Sequence, residues 1–274
     1  MIRRQLPQLR TSLSEPTDPF GTILRGMSPQ NQAIATPAPI TMRDRLIVAL
    51  DVPTAREARD LVLRIGPAAG IYKVGLQLFT AEGPEFVREL VRSGRKVFLD
   101  LKFHDIPNTV GLAVRQAAEL GVHMLTIHGS GGSGMLKAAV EAASGRVKLL
   151  AVTVLTSISD QGLQEVGVAG RVVDQVLRVA ALAKTAGLSG VVASPQEAAQ
   201  IRQSLGEGFA IVTPGVRPRG AALNDQQRVA TPGEAIASGA THVVVGRPIT
   251  HASDPAKAAS EIIKELELIR QPGE

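Results

Sequence analysis

From residue 43 onward, short apolar β-branched runs alternate with longer segments whose apolar positions recur at helical spacing. The runs lie at 46–50, 71–74, 97–101, 124–127, 149–155, 190–193, 209–212 and 242–245. Each reads as a strand buried on both faces, because hydrophobic residues continue without the polar alternation of a half-exposed strand. The helical segments fall between and after them, at 55–65, 84–93, 110–120, 135–143, 172–186, 195–205, 232–238 and 255–269. Eight strands, each followed by a helix, over roughly 230 residues predict a closed (β/α)₈ barrel, the TIM-barrel architecture. An open doubly wound sheet is the alternative, and the even count of eight favours closure.

Before residue 43 the pattern disappears. Pro7, Pro16, Pro19, Pro29, Pro37 and Pro39 interrupt the stretch, and no period is sustained. Residues 1–42 are therefore read as a disordered extension, and 43–274 as one catalytic barrel domain. The extension is Arg-rich and acid-poor, as organellar transit peptides are. A leader without function, or translation that begins at Met42, accounts for it more simply.

Composition refines this picture in three ways. There is no cysteine, which excludes disulfides and thiolate metal sites and suits a reducing cytoplasm. Trp is absent and only one Tyr and six Phe occur, so the core must be aliphatic. No apolar run approaches the ~20 residues of a membrane span. The formal charge of +5 is concentrated in the first 43 residues, where Arg3, Arg4, Arg10, Arg25 and Arg43 face only Glu15 and Asp18. A near-neutral body argues against nucleic acid as the partner, and a local phosphate site needs only two or three of its cations.

Catalytic groups of such barrels cluster where strands end. Here those positions carry Asp51, Lys73, Asp100 with Lys102, His128, Thr156 with Ser157, Ser194, Pro214 to Arg217, and Gly246 with Arg247. A single carboxylate or lysine in an apolar strand is usually one half of a structural ion pair, but a series of them at successive strand ends points to a site. In KVFLDLKFHDIPNTV (96–110), strand alternation places Asp100 and Lys102 on one face, with Lys73 on the preceding strand beside them. Asp105 follows three residues after Lys102, giving an expected Lys–Asp–Lys–Asp array. His104, His123 and His128 lack metal-ligand spacing and are expected to cap or pack. After the seventh and eighth strands, TPGVRP (213–218) and VVGRPI (244–249) pair glycines, whose backbone an anion can approach, with arginines that bind it as a fork. Barrels often bind phosphate in these two loops.

With these residues in view, the chain from about 45 to 269 resembles bacterial orotidine 5′-phosphate decarboxylases. LIVALDVP, YKVGLQLF, FLDLKFHDIPNT, AVTVLTS, VTPGVRP, NDQQRVATP and VVGRPIT occur in the family's order, and the DLKFHDIPNT block is the most specific. The resemblance implies conversion of orotidine 5′-phosphate to uridine 5′-phosphate and CO₂ in pyrimidine biosynthesis, with no cofactor and no metal. It implies that Lys102 protonates C6, that Asp100 lies beside the substrate carboxylate, and that Lys73 orders the array. Asp51 would accept from the ribose hydroxyls, Thr156 and Ser157 would meet the pyrimidine, and Pro214, Arg217, Gln226, Gly246 and Arg247 would hold the phosphate. It further implies a homodimer in which Asp105 and Thr109 complete the neighbouring subunit's site. Hexulose-phosphate synthases and keto-gulonate-phosphate decarboxylases share an Asp-x-Lys-x-x-Asp segment but use a divalent metal; Ile106-Pro107 and the Gln226 region favour the orotidine family. A non-catalytic nucleotide-binding barrel is the other alternative, but Asp100 and Lys102 are both present.

Overall fold

A computed structural model of the protein describes residues 41–218 and 230–269. A short helix α1 (Met42–Arg45) leads into β1 (Leu46–Ala49), α2 (Ala55–Ile65), β2 (Ile71–Gly75) and α3 (Leu76–Arg92). There follow β3 (Lys96–Phe103), α4 (Pro107–Glu119), β4 (Met124–His128), α5 (Gly132–Ala143) and β5 (Lys148–Val152). The second half runs through α6 (Asp160–Glu165), α7 (Val172–Ala186), β6 (Gly190–Val192), α8 (Ala198–Leu205) and β7 (Ala210–Thr213). It ends with α9 (Pro232–Ala237), β8 (His242–Val245), α10 (Arg247–Thr250) and α11 (Pro255–Glu267). All eight strands are parallel, and β8 closes on β1 through Leu46↔Val243 and its neighbours, making the closed barrel that the apolar pattern predicts.

Period-two alternation sorts each strand into two layers. Ile47, Ala49, Ile71, Phe98, Met124, Leu150, Val212 and Val244 point inward and fill the barrel. Leu46, Val48, Tyr72, Leu99, Leu125 and Val243 point outward against the helices. Extending the inward series toward the strand ends reaches Asp51, Lys73, Asp100 and Thr126. The pleat that buries the core thus delivers polar groups to the upper mouth.

Three elements differ from the sequence pattern, each for a local reason. α3 begins eight residues before the predicted 84, because a kink at Gly83 (φ 67°, ψ −167°) joins two helical pieces ahead of Pro84; glycine alone enters that region readily. The fifth apolar run leaves the sheet at Val152, and Val154 and Leu155 line a cleft instead. The six-residue α6, capped by the Ser159 hydroxyl accepting from Gly162 N at 3.2 Å, is too short to carry a period. After residue 230, α9 starts from a capping box: Thr231 Oγ1 accepts from Glu234 N at 3.1 Å, while Glu234 Oε2 accepts from Thr231 N at 2.9 Å.

The lower mouth, at the strand starts, holds a different cluster. His242 opens β8, is 2% exposed, and has Nδ1 2.8 Å from the Thr241 hydroxyl. Burial, reinforced by Lys148, Arg45 and His123 and opposed by Asp44, pushes its imidazole down to about 3. Burial, with Lys148 and Lys96 and against Asp44, pushes His123 down to about 4. Both rings are neutral in the fold, whereas in the unfolded chain they charge near the usual 6.5. As pH falls, the unfolded state therefore takes up protons first. Neither ring affects stability above about pH 6.5; below it each removes up to about 1.4 kcal/mol per pH unit until its folded form titrates. His242→Gln is expected to flatten the decline of the urea midpoint between pH 7 and about pH 4. An unchanged slope would rule out this contribution.

Candidate active site

The upper mouth brings four charged side chains from three strands together. Lys73 Nζ lies 2.8 Å from Asp51 Oδ1 and 3.8 Å from Asp100 Oδ2. Lys102 Nζ donates to Asp100 Oδ1 at 2.8 Å. Asp100 is the hub, with its side chain 14% exposed, against 11% for Lys73 and 28% for Lys102. Burial at this level is tolerable because each charge has an opposite partner. Gly75 belongs to the same cluster: a Cβ there would lie 2.9 Å from Lys73 Nζ and 3.4 Å from Asp51 Oδ1, so any side chain would displace the ammonium.

Asp100 and Lys102 meet, but simple alternation is not the reason. β3 pairs with β4 at Leu99↔Leu125 and next at Phe103↔Ile127, so β3 spends four residues where β4 spends two. The bulge places Lys102 at φ 52°, a left-handed conformation that side-chain-bearing residues seldom adopt. Its freed N–H donates to Thr126 Oγ1 at 2.9 Å, and that hydroxyl donates to Asp100 Oδ1 at 2.9 Å. Thr126 is fully buried on β4. Nothing in the sequence marks it, since a threonine inside an apolar strand is an ordinary β-former.

Asp105 corrects the expected array. Its carboxylate is exposed and accepts from Ile106 N at 2.6 Å, and among the described residues it forms no ion pair. The fourth charge joined to the cluster within this chain is Asp51. Thr109, in the first turn of α4, is also exposed, as is Ile106 between them. His104 packs against His128 with ring centroids 5.1 Å apart. Burial holds the His128 imidazole below its usual range, with His104 and Lys102 adding to the effect and Asp100 opposing it.

Two adjoining cavities share Lys73, Asp100, Pro214 and Val244 as walls. One, of about 240 Å³, is apolar along Phe98, Val152, Val154 and Val192 and carries Lys102, Thr156 and Ser157 at its polar edge. The other, of about 470 Å³, runs from Asp51 to Gly215, Arg217, Gly246 and Arg247, and adds Thr250 and His251, which the sequence pattern did not single out. Arg217 is 7% exposed, and its backbone N–H donates to Ala230 O at 3.0 Å. Gln226 lies outside the described residues. The geometry suits a ligand with a flat apolar body, an anionic substituent beside the lysines and a second anion at the arginines.

Known proteins match this chain in sequence and in fold. The family model described as orotidine 5′-phosphate decarboxylase / HUMPS matches residues 44–262. The chain belongs to this family. It is 55% identical over 225 residues to an orotidine 5′-phosphate decarboxylase of Halorhodospira halophila, covering 81% of this chain and 95% of that protein. It is 50% identical over 237 residues to the one from Moorella thermoacetica, covering 83% and 94% respectively. A crystal structure of orotidine 5′-phosphate decarboxylase from Lactobacillus acidophilus superposes with a TM-score of 0.74 at 40% identity, covering 81% of this chain and 99% of that one. These relatives bear out the resemblance read from the motifs, and every expected site residue from Asp51 to Arg247 falls within the stretch matched to the family.

Proposed function

We propose that the protein decarboxylates orotidine 5′-phosphate to uridine 5′-phosphate and CO₂, a step of pyrimidine biosynthesis, without a cofactor. The observation that carries this reading is Asp100 held between two ammonium groups at the junction of an apolar and an arginine-bearing cavity. On this reading the pyrimidine lies against Phe98 and Val192 with its edge at Thr156 and Ser157. The ribose hydroxyls reach Asp51 and Lys73. The phosphate is held by Arg217, Gln226 and Arg247, with Pro214 and Gly246 shaping the backbone around it.

The chemistry follows from the charges. When the C6–carboxylate bond breaks, the electron pair stays on C6 in an orbital that the ring carbonyls cannot delocalise. The available strategy is electrostatic: fixed charges that favour the carbanion more than the carboxylate. Lys102 stabilises that pair and transfers a proton from Nζ to C6, so CO₂ leaves and uridine 5′-phosphate remains. Binding of the distant phosphate holds the substrate carboxylate against Asp100, offsetting an unfavourable contact. Asp105 and Thr109, exposed here, complete the site of a second copy in a homodimer. The cysteine-free chain suits the cytoplasm, and among the described residues no helix is long and apolar enough to cross a membrane.

Purified protein is expected to consume orotidine 5′-phosphate, followed by its absorbance, at an undiminished rate in excess chelator. Among the described residues no group of three or more His, Asp or Glu side chains is placed to hold a metal. Activity lost with chelator and restored by magnesium would instead indicate metal-dependent chemistry of the HUMPS type. Absence of turnover under both conditions would refute the decarboxylase reading.

A further inference from the structure

We propose that Thr126 is a positioning residue for the reaction, its hydroxyl holding the left-handed turn at Lys102 and the Asp100 carboxylate in one geometry. The inference rests on the decarboxylase reading, which makes the Lys102 ammonium the group whose placement matters.

The hydroxyl makes two contacts on opposite sides of its hydrogen-bonding capacity. It accepts from Lys102 N at 2.9 Å and donates to Asp100 Oδ1 at 2.9 Å. The first replaces a ladder bond: where β3 bulges, the 102 amide has no strand partner in register, and a buried N–H without an acceptor is unfavourable. A left-handed conformation at a lysine persists only where its surroundings hold it. The second contact orients the carboxylate. Asp100 Oδ1 is occupied by Lys102 Nζ and Thr126 Oγ1, which turns Oδ2 toward Lys73, 3.8 Å away. One fully buried hydroxyl thus links the backbone that aims Lys102 to the carboxylate that Lys102 meets. A threonine present only to fill a strand position would do none of this, and valine, β-branched like it, would serve there without loss of activity.

That difference is the test. Thr126→Val and Thr126→Ala are compared with wild type, and Thr126→Ser restores the hydroxyl without the methyl group. The variants lacking the hydroxyl are expected to lose on the order of 10²-fold in kcat, with KM for orotidine 5′-phosphate within about threefold of wild type, because the arginine-bearing cavity is untouched. T126S is expected to recover kcat to within about threefold of wild type. Thermal melting checks that each variant is folded, and with two such variants a folding failure of one leaves the other to decide. A crystal structure of T126V is expected to show Lys102 out of the left-handed region and its ammonium displaced from Asp100. The proposal is overturned if T126V or T126A keeps kcat within about threefold of wild type, or if T126S is as impaired as T126V. It is overturned equally if the T126V structure retains the φ of Lys102 and its contact with Asp100. Inactive wild-type protein would refute the decarboxylase reading, and the crystallographic comparison would still decide the positioning claim.

Discussion

Lys102→Ala is expected to lower decarboxylation by at least on the order of 10⁴-fold while uridine 5′-phosphate still binds. Loss of a general acid costs about 10²- to 10⁴-fold, and loss of a charge that stabilises the transition state adds about 10²- to 10³-fold. Both roles fall on one Nζ, so one truncation removes both. Product binding survives because it is supported mainly at the other end of the cleft, by Arg217 and Arg247 beside Gly215 and Gly246. The fold survives as well: Asp100 keeps the Thr126 hydroxyl on Oδ1 and Lys73 near Oδ2. Turnover and calorimetric binding of the product, measured on the same preparation, separate these effects. A variant retaining more than about a hundredth of wild-type turnover would end the assignment of Lys102 as proton donor.

The second large effect is a gain. Lys102→Ala and Asp105→Ala chains are each expected to be inactive alone, yet mixing them under subunit exchange should restore roughly a quarter of wild-type activity. Random pairing makes about half of the dimers mixed, and each mixed dimer has one site with both residues intact. The expectation comes from the position of Asp105: it is exposed on the β3–α4 connection with Ile106 and Thr109, and within its own chain it stays outside the charge cluster centred on Asp100. Tagged chains isolate the mixed species. No recovery in a dimer proven to be mixed would remove Asp105 from the partner's site.

Much of this is legible in the amino-acid sequence. Eight short, mostly apolar runs spaced by helical segments read as strands covered on both faces, and inward alternation carries Asp51 and Lys73 to the mouth. Legibility failed where geometry departed from regularity. Alternation placed Lys102 beside Asp100 correctly, but the structure reaches that result through a bulge and a left-handed residue that no periodicity encodes. Thr126 was invisible because its residue type is common in strands. Asp105 lies three residues from Lys102 in sequence, yet among the described residues of one chain it forms no ion pair with the cluster. The excess of the 149–155 run over β5 was a clue in hindsight: apolar residues beyond a strand end line the cleft.

The cluster around Asp100 has a further consequence once its charges are counted. Within one chain, Asp51 and Asp100 balance Lys73 and Lys102, so these four groups sum to zero before any ligand arrives. A ligand carboxylate entering beside Asp100 adds one negative charge; when CO₂ leaves, that charge stays on C6, and transfer of the Lys102 proton passes it to the cluster as a neutral amine. Each turnover therefore leaves the pocket one proton short, and Lys102 must draw that proton from solvent before the next ligand can react.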